Sequence, residues 1–402
     1  MAKELELTVM NRGARTAECI KSILAKFEAK HNIHVNFSVI PWETGHSDLV
    51  NVALYRHGAD VSEIGSSWIS DMIAMNALRS FSSSEINSFG GRNAFVNSAM
   101  DWGSTFSDGH TYAIPWFMDP SAIFFWRERL AQAGIDESIA FKTIPQMEQT
   151  LQKLMNSGEQ SPWSMPLHKH PFQSVHNVSS WIWGAGGGLI SADNRRVTID
   201  SPQARSGMKA YFNLHHFIAA EDLDIKDKAF DINFPSAKSV AALGGAWLIS
   251  EEFGFPFESR EEIGVSSFPG ISYVGGEALV VWKHTRMDEA AIQLVRFLTS
   301  QEAMREYYEY VQLLPTRLDV LALPEISNDP INRVLTEQAH SGRGFPAISL
   351  WGLIEDKLES ALDDVWLDII ANRDIDLDET INKNVLPILE RLNLTLSQSG
   401  KR

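Results

Sequence analysis

A chain of 402 residues exceeds what one hydrophobic core ordinarily supports, and its 44% hydrophobic content is ample for burial, so two lobes are expected. The formal charge of −16, from 51 acidic against 35 basic residues, argues against nucleic acid or an anionic lipid surface as partner and for a soluble monomer. The single cysteine, Cys19, excludes an internal disulfide or a thiolate metal cluster, and no run of about 18 apolar residues offers a membrane span.

Residues 1–7 lack the apolar stretch of a signal peptide, which leaves two expectations: a cytoplasmic chain, or one whose targeting segment has been removed. Leu5, Leu7 and Val9 alternate with polar residues and predict a strand; Asn11-Arg12-Gly13 reads as a turn. Ile20, Ile23, Leu24 and Phe27 recur at helical spacing, and Cys19 falls in this helix as a small buried hydrophobe. A second strand over 34–40 ends at Pro41-Trp42; a helix near 47–56 and a short strand around 60–64 follow.

Strands alternating with helices predict a parallel sheet covered on both faces, whose ligand-holding loops lie beyond the carboxyl ends of the strands. Asn11-Arg12, Trp42-Glu43 and Ser66-Ser67-Trp68 occupy three such loops and would converge on one edge. The segment from Tyr112 to Asp119 follows the polar stretch Ser107-Asp108-Gly109-His110 and, with Pro115 fixing one backbone angle, suits a crossing between lobes. An aromatic strand, Ile123-Phe124-Phe125-Trp126, comes next.

Trp181-Ile182-Trp183 runs into Gly184-Ala185-Gly186-Gly187-Gly188, where Leu189 breaks the spacing of a dinucleotide fingerprint and a helix exit is expected instead. A turn at 192–194 and a strand at 196–199 follow. Ser201-Pro202 caps and starts a helix, and Ala291, Leu294, Val295 and Leu298 mark another. Leu350, Ile354, Leu358, Leu362, Val365 and Ile369 form one apolar stripe, and the interleaved Glu355, Asp356, Glu359 and Asp363 are expected to form a solvated face.

Motifs for enzymatic chemistry are absent: there is no GxxxxGK[ST], HExxH, GxSxG or CxxC. His168, His170 and His176, with His215 and His216, lack ligand spacing and read as polar lining or surface, so no metal and no cofactor are expected. Glu43 and Asp119 could form a glycosidase pair, yet ionised carboxylates equally accept hydrogen bonds from sugar hydroxyls. Among twelve tryptophans, Trp126, Trp183 and Trp282 sit in apolar elements and are assigned to the core. Trp42, Trp68, Trp116, Trp181, Trp247 and Trp351 adjoin turns, glycines or prolines and are expected to stack on the C–H faces of a sugar ring.

The order of several landmarks resembles the extracellular solute-binding protein family of ABC transporters, which includes maltose-binding protein. These are Ala25-Lys26-Phe27-Glu28, Gly58-Ala59-Asp60-Val61, Tyr112 to Asp119, Gly244-Gly245-Ala246-Trp247, Gly275-Gly276, Ala290-Ala291 with Phe297 to Ser300, Leu314 to Arg317, and Phe345-Pro346 before Trp351. The resemblance implies two α/β lobes of the periplasmic-binding-protein fold, a ligand cleft between them and a helical C-terminal segment. It implies lobe 1 over 1–115 and 271–315, and lobe 2 over 116–270 and 316–402. Family binding positions fall on Asn11, Arg12, Trp42, Glu43, Ser66, Ser67, Trp68, Asp119, His176 or Asn177, Trp247 and Trp351, with Gly276 beside them. The usual Gly-Pro-Trp reads Gly245-Ala246-Trp247 here, and the second-lobe acidic and tyrosine contacts fall near Ser174 and His176. The implied function is capture of a mono- or oligosaccharide for an ABC permease at the periplasm or cell surface, without catalysis; a cytoplasmic sugar sensor and a glycoside-acting enzyme are the alternatives.

Overall fold

The computed structural model describes residues 3–104, 109–165, 173–223, 233–250, 254–345, 347–348 and 350–399. Ser107, Asp108 and Pro346 of the sequence landmarks lie outside the described residues. The chain divides into two compact units, one comprising 1–120 and 274–352, the other 121–273 and 353–402.

In the first unit, β1 (Lys3–Met10), β2 (Ile33–Ile40) and β3 (Val61–Gly65) pair in parallel, with Leu5 opposite Val35 and Leu7 opposite both Phe37 and Val61. Leu5, Leu7 and Val9 are buried, as are Cys19, Ile20, Ile23, Leu24 and Phe27 of the helix Ala14–His31. That helix ends where Asn32 turns left-handed at φ 53° and returns its N–H to Glu28. It packs on the helix Gln301–Val311, whose Glu306 takes hydrogen bonds from Ser22 and Lys26.

The sheet continues through β4 (Ala113–Pro120), β9 (Val274–Val281) and β10 (Leu314–Pro315), in the order β10-β4-β9-β3-β1-β2. It is therefore mixed where a parallel sheet was expected. The chain leaves the sheet at Pro120 and returns at Val274, which pairs with Pro120, so β9 runs antiparallel to both β3 and β4. The segment expected as a crossing is thus an interior strand, flanked by β10 and β9, with the crossing after its last residue. Helices over 318–341 stay with the first unit, which moves the last boundary from the expected 315 to 352. Packing explains the move: β10 pairs with β4, and the helix Pro330–Ser341 lies against β4.

The second unit is built on β6 (Trp163–Ser164), β7 (Ala241–Gly244), β5 (Ala122–Trp126) and β8 (Ile263–Ser267), in the order β6-β7-β5-β8. Here β5 is antiparallel to both neighbours and only β6 and β7 are parallel. The helices Gln173–Gly184 and Pro202–Asn213 pack at Gly207, where any Cβ would sit 2.5 Å from the carbonyl oxygen of Trp181. Ser201 caps the second of these by accepting from the Ala204 N–H. The expected strand at 196–199 is a single bridge between Ile190 and Val197. The C-terminal portion is helical, over Trp351–Ala371, Leu377–Asn384 and Leu386–Ser399.

Candidate functional site

At one edge of the first-unit sheet, β1, β3 and β4 end and β9 begins. That edge places Asn11 and Arg12 after β1, Ser66–Trp68 after β3, Asp119 near the end of β4, and Gly276 and Glu277 at the start of β9. Trp42 follows β2 as the first residue of the helix Trp42–Tyr55, one turn earlier than the sequence pattern indicates, because Pro41 stands in extended conformation immediately before it. Trp42 and Glu43 are therefore a helix start and not a loop. Gly276 sits at φ 151°, and a Cβ there would lie 2.3 Å from the carbonyl oxygen of Phe117, so only glycine fits.

Arg12 organises this edge. One of its terminal nitrogens lies 2.7 Å from Glu63 and 2.9 Å from Glu277, and its guanidinium packs 5.2 Å from the ring centre of Trp42. Glu63 also accepts the Met10 N–H at 2.7 Å, which ties the end of β1 to β3. Trp68 packs beside Trp42 at 5.6 Å and beside His46 at 5.4 Å, and His46 is held by Asp71 at 3.2 Å. Burial works against the charge of Arg12, but Glu63 and Glu277 more than offset it and hold the guanidinium well above its ordinary value. Burial pushes the Glu277 carboxyl up to about 7; Arg12 opposes the shift, while Glu63 and Asp119 reinforce it.

Neither Glu63 nor Glu277 was singled out from sequence. Both stand inside apolar strands, Val61–Gly65 and Val274–Val281, and a charge in a buried strand demands a partner. Arg12→Met, which removes the cation and strands the fully buried Glu63, is expected to cost about 3–5 kcal/mol of stability, measured by urea unfolding. A loss under about 1 kcal/mol would show that the pair does not hold the edge together.

In the second unit the start of the helix Gln173–Gly184 is gripped by the helix Trp351–Ala371. Glu359 accepts the N–H groups of Ser174 at 3.0 Å and Val175 at 2.8 Å, and Asp363 accepts the Ser174 hydroxyl at 3.2 Å. His176 meets Glu355 at 2.9 Å and stacks on Tyr273 with ring centres 4.4 Å apart. This corrects the expected solvated face: Glu355 and Glu359 are buried, because they serve the open amides and the imidazole of a neighbouring helix. Burial drives His176 down to about 3, so the imidazole is neutral and its contact with Glu355 is a hydrogen bond.

Burial pushes Glu359 up to about 8, against the pull of the Val175 and Ser174 amides, with Asp363 adding to the rise. A carboxyl whose folded value is raised binds a proton more tightly in the folded than in the unfolded chain. Its contribution to stability is complete below the ordinary 4.5 and is lost as pH climbs toward 8. Glu359→Gln should flatten the decline in stability across that window; an unchanged pH profile from denaturant melts would contradict it.

The remaining sequence-selected residues are placed as follows. Asn11 and Glu43 are exposed, Ser66 and Asp119 half-buried, Ser67 and Trp68 buried. Trp116 is the extra residue of a bulge between Pro115 and Phe117; it is fully buried, gives its N–H to Leu298 at 3.1 Å and packs on Tyr307. Trp181 is buried against Tyr211 and Phe268, and Trp351 against Phe345. Asn177 is buried, whereas Trp247, in the short turn of helix Ala246–Ile249 after β7, is half-exposed. Trp126, Trp183 and Trp282 are in the core, as expected. Cys19 is buried too, and burial pushes its thiol up to about 12. Both ring nitrogens of His215 face backbone carbonyls, of Phe212 and Arg373. His168 and His170 lie outside the described residues, and among those described no three His, Cys, Asp or Glu residues are grouped to hold a metal ion.

A family described as bacterial extracellular solute-binding protein matches residues 22–334. The chain belongs to this family. The fold of this solute-binding protein is also that of several solved sugar-binding structures. An ABC transporter solute-binding protein of Thermotoga lettingae, bound with α-D-tagatose, is 19% identical with a TM-score of 0.84, covering 98% of this chain and 100% of its own. Maltose-bound MalE3 of T. maritima is 19% identical with a TM-score of 0.82, covering 97% and 100%. The GacH receptor of Streptomyces glaucescens, solved unliganded and with acarbose, is 17% identical with a TM-score of 0.80, covering 96% and 97%. Among the described residues of the solute-binding protein, no helix is long and apolar enough to cross a membrane.

Proposed function

We propose that this protein binds a mono- or oligosaccharide outside the cytoplasm and delivers it to an ABC permease, acting as a monomer and leaving the sugar chemically unchanged. The observation that carries the reading is the first-unit edge, where the half-exposed Trp42 is backed by the Arg12 guanidinium and by Trp68, and where β4 ends at the carboxylate-bearing Asp119. A sugar ring offers C–H faces to an indole and hydroxyl donors to carboxylates, so this pairing of groups suits it. In this reading Trp247 gives a further indole face and the exposed Asn11 and Glu43 meet hydroxyls. Ser66 adds a hydroxyl, while the buried Ser67 and Asn177 and the Glu355-bound His176 act from behind the surface.

The mechanism is capture by population shift. Two forms interconvert, and the ligand favours the one that binds it more tightly, by as much as its affinities for the two forms differ. The permease then reads that form.

A thermal-shift screen against monosaccharides, disaccharides, oligosaccharides and polyols tests the reading, because a ligand bound only by the folded state raises the melting temperature. One sugar class giving a large shift, with no product on prolonged incubation, is the expected result; released reducing sugar would make the protein an enzyme, and no shift at all would remove carbohydrate as the ligand. Trp247→Ala is expected to weaken binding of the sugar so found by at least about 2 kcal/mol, read by calorimetry. An unchanged dissociation constant would take Trp247 out of the site.

A further inference from the structure

At the end of the first-unit sheet opposite the candidate edge, where β3 begins and β9 ends, lies a cavity of about 370 Å³ lined by Ala53, Arg56, Asn76, Ala77, Lys283 and His284. All six residues belong to the first unit. Three pieces of chain meet there. Arg56 closes the helix Trp42–Tyr55 in left-handed conformation at φ 51°, Asn76 turns likewise at φ 54° just after the helix Ile69–Ala74, and Lys283 and His284 follow β9. Backbone pairing joins the last two pieces, since Lys283 gives its N–H to Ala77 at 2.8 Å and Leu78 bridges to Trp282. β3, five residues long, separates this end from Ser66–Trp68 by roughly 17 Å, at about 3.3 Å per residue.

The lining carries two cations and no carboxylate. Arg56 forms no ion pair with any described residue, and Lys283 donates to the Asn76 side chain at 2.6 Å, which leaves two of its three donors. The nearest acids along the chain serve other donors: Asp60 accepts the Glu6 N–H at 3.0 Å and the Thr285 hydroxyl at 2.5 Å, Asp71 meets His46 at 3.2 Å, and Asp288 pairs with Arg79 at 2.7 Å. Cations are favoured at helix ends, yet carbonyls of the last turns already accept amides, Val52 from Arg56, Ile73 from Asn76 and Met72 from Ala77. Neither a protein carboxylate nor the helix ends therefore neutralise the two charges. We propose that this cavity is a second binding site, for a phosphate group, with the Arg56 guanidinium as a two-donor fork and the Lys283 ammonium as a point charge. A monocarboxylate would balance only one of the two cations. The volume falls within the roughly 300–1,000 Å³ of small-molecule sites, so a phosphate bearing a small organic group fits as well as the free ion. The site stands independently of the carbohydrate reading.

The test is calorimetry of the whole protein with inorganic phosphate, at low salt and at a pH where the ion is a dianion, against chloride as control. One saturable site is expected, and Arg56→Gln and Lys283→Gln should each weaken it by at least about tenfold. Both side chains are exposed, so neither substitution threatens the fold. Arg196→Gln, which alters an exposed pair with Asp200 on the second unit, should leave phosphate binding unchanged. Sedimentation with phosphatidylglycerol vesicles distinguishes the source of the phosphate. Binding of the free ion without capture by vesicles, the result expected for a chain of charge −16, assigns a soluble phosphate; capture that Arg56→Gln abolishes assigns a lipid headgroup. Absence of both saturable phosphate binding and vesicle capture, or binding that survives both substitutions, would overturn the proposal.

Discussion

One buried guanidinium sets the geometry of the candidate edge. Arg12 comes from the loop after β1, Glu63 from β3 and Glu277 from β9, so a single charge cluster fixes the ends of three strands that are neighbours in space and far apart in sequence. Taking such charges out of water costs about as much as their attraction returns, and a set of apolar residues would stabilise the sheet equally well. Position is what the ionic solution adds. A guanidinium held by two acids cannot wander, and Trp42 rests on it at 5.2 Å, so the half-exposed indole is backed by a fixed surface and not by a mobile side chain. The bridge to Glu277 also fastens the strand by which the chain re-enters the first unit, three residues after Val274.

The second unit solves a similar problem with the opposite sign. The open amides at the start of the helix Gln173–Gly184 carry partial positive charge, and Glu359 lies across them from another helix. That contact, with Asp363 on the Ser174 hydroxyl and Glu355 on His176, locks the turn bearing His176 and Asn177. The two clusters differ in the donors they show. Arg12 gives the first a full cation, whereas in the second Glu359 takes the amides of Ser174 and Val175. In both, burial raises the carboxyl, of Glu277 against the pull of Arg12 and of Glu359 against the pull of the amides.

Much of the fold was legible because periodicity is local. Leu5, Leu7 and Val9 at a spacing of two and Ile20, Ile23, Leu24 and Phe27 at helical spacing report burial directly, and these elements lie where the pattern puts them. Strand direction was less accessible, since β9 is antiparallel for a reason no local pattern carries: the chain returns to the sheet from another unit. The acidic stripe failed for a related reason. Glu355 and Glu359 have the spacing of a solvated face, and only the approach of the helix Gln173–Gly184 makes them interior groups. At the candidate edge, loops beyond strand ends carry Asn11, Arg12 and Ser66–Trp68 as the pattern puts them, but Glu63 and Glu277 sit within strands, where an apolar frame hides a single charge.

The tryptophans show what chain position can and cannot decide. Proximity to a turn, glycine or proline selected Trp42, Trp68, Trp116, Trp181, Trp247 and Trp351 alike, yet only Trp42 and Trp247 keep substantial exposure. Trp116 adjoins a proline because a bulge turns it inward toward Leu298, and Trp181 precedes glycines because its helix ends there, with its ring already packed on Tyr211 and Phe268. The same local signal therefore marks a side chain that stays partly exposed and one turned into a core. What separates them is whether a donor or a packed ring already occupies the indole. Trp42 has a cation behind it and its neighbour Trp68 at one side, which leaves a face available, and that asymmetry is set by Arg12 and the two acids that hold it.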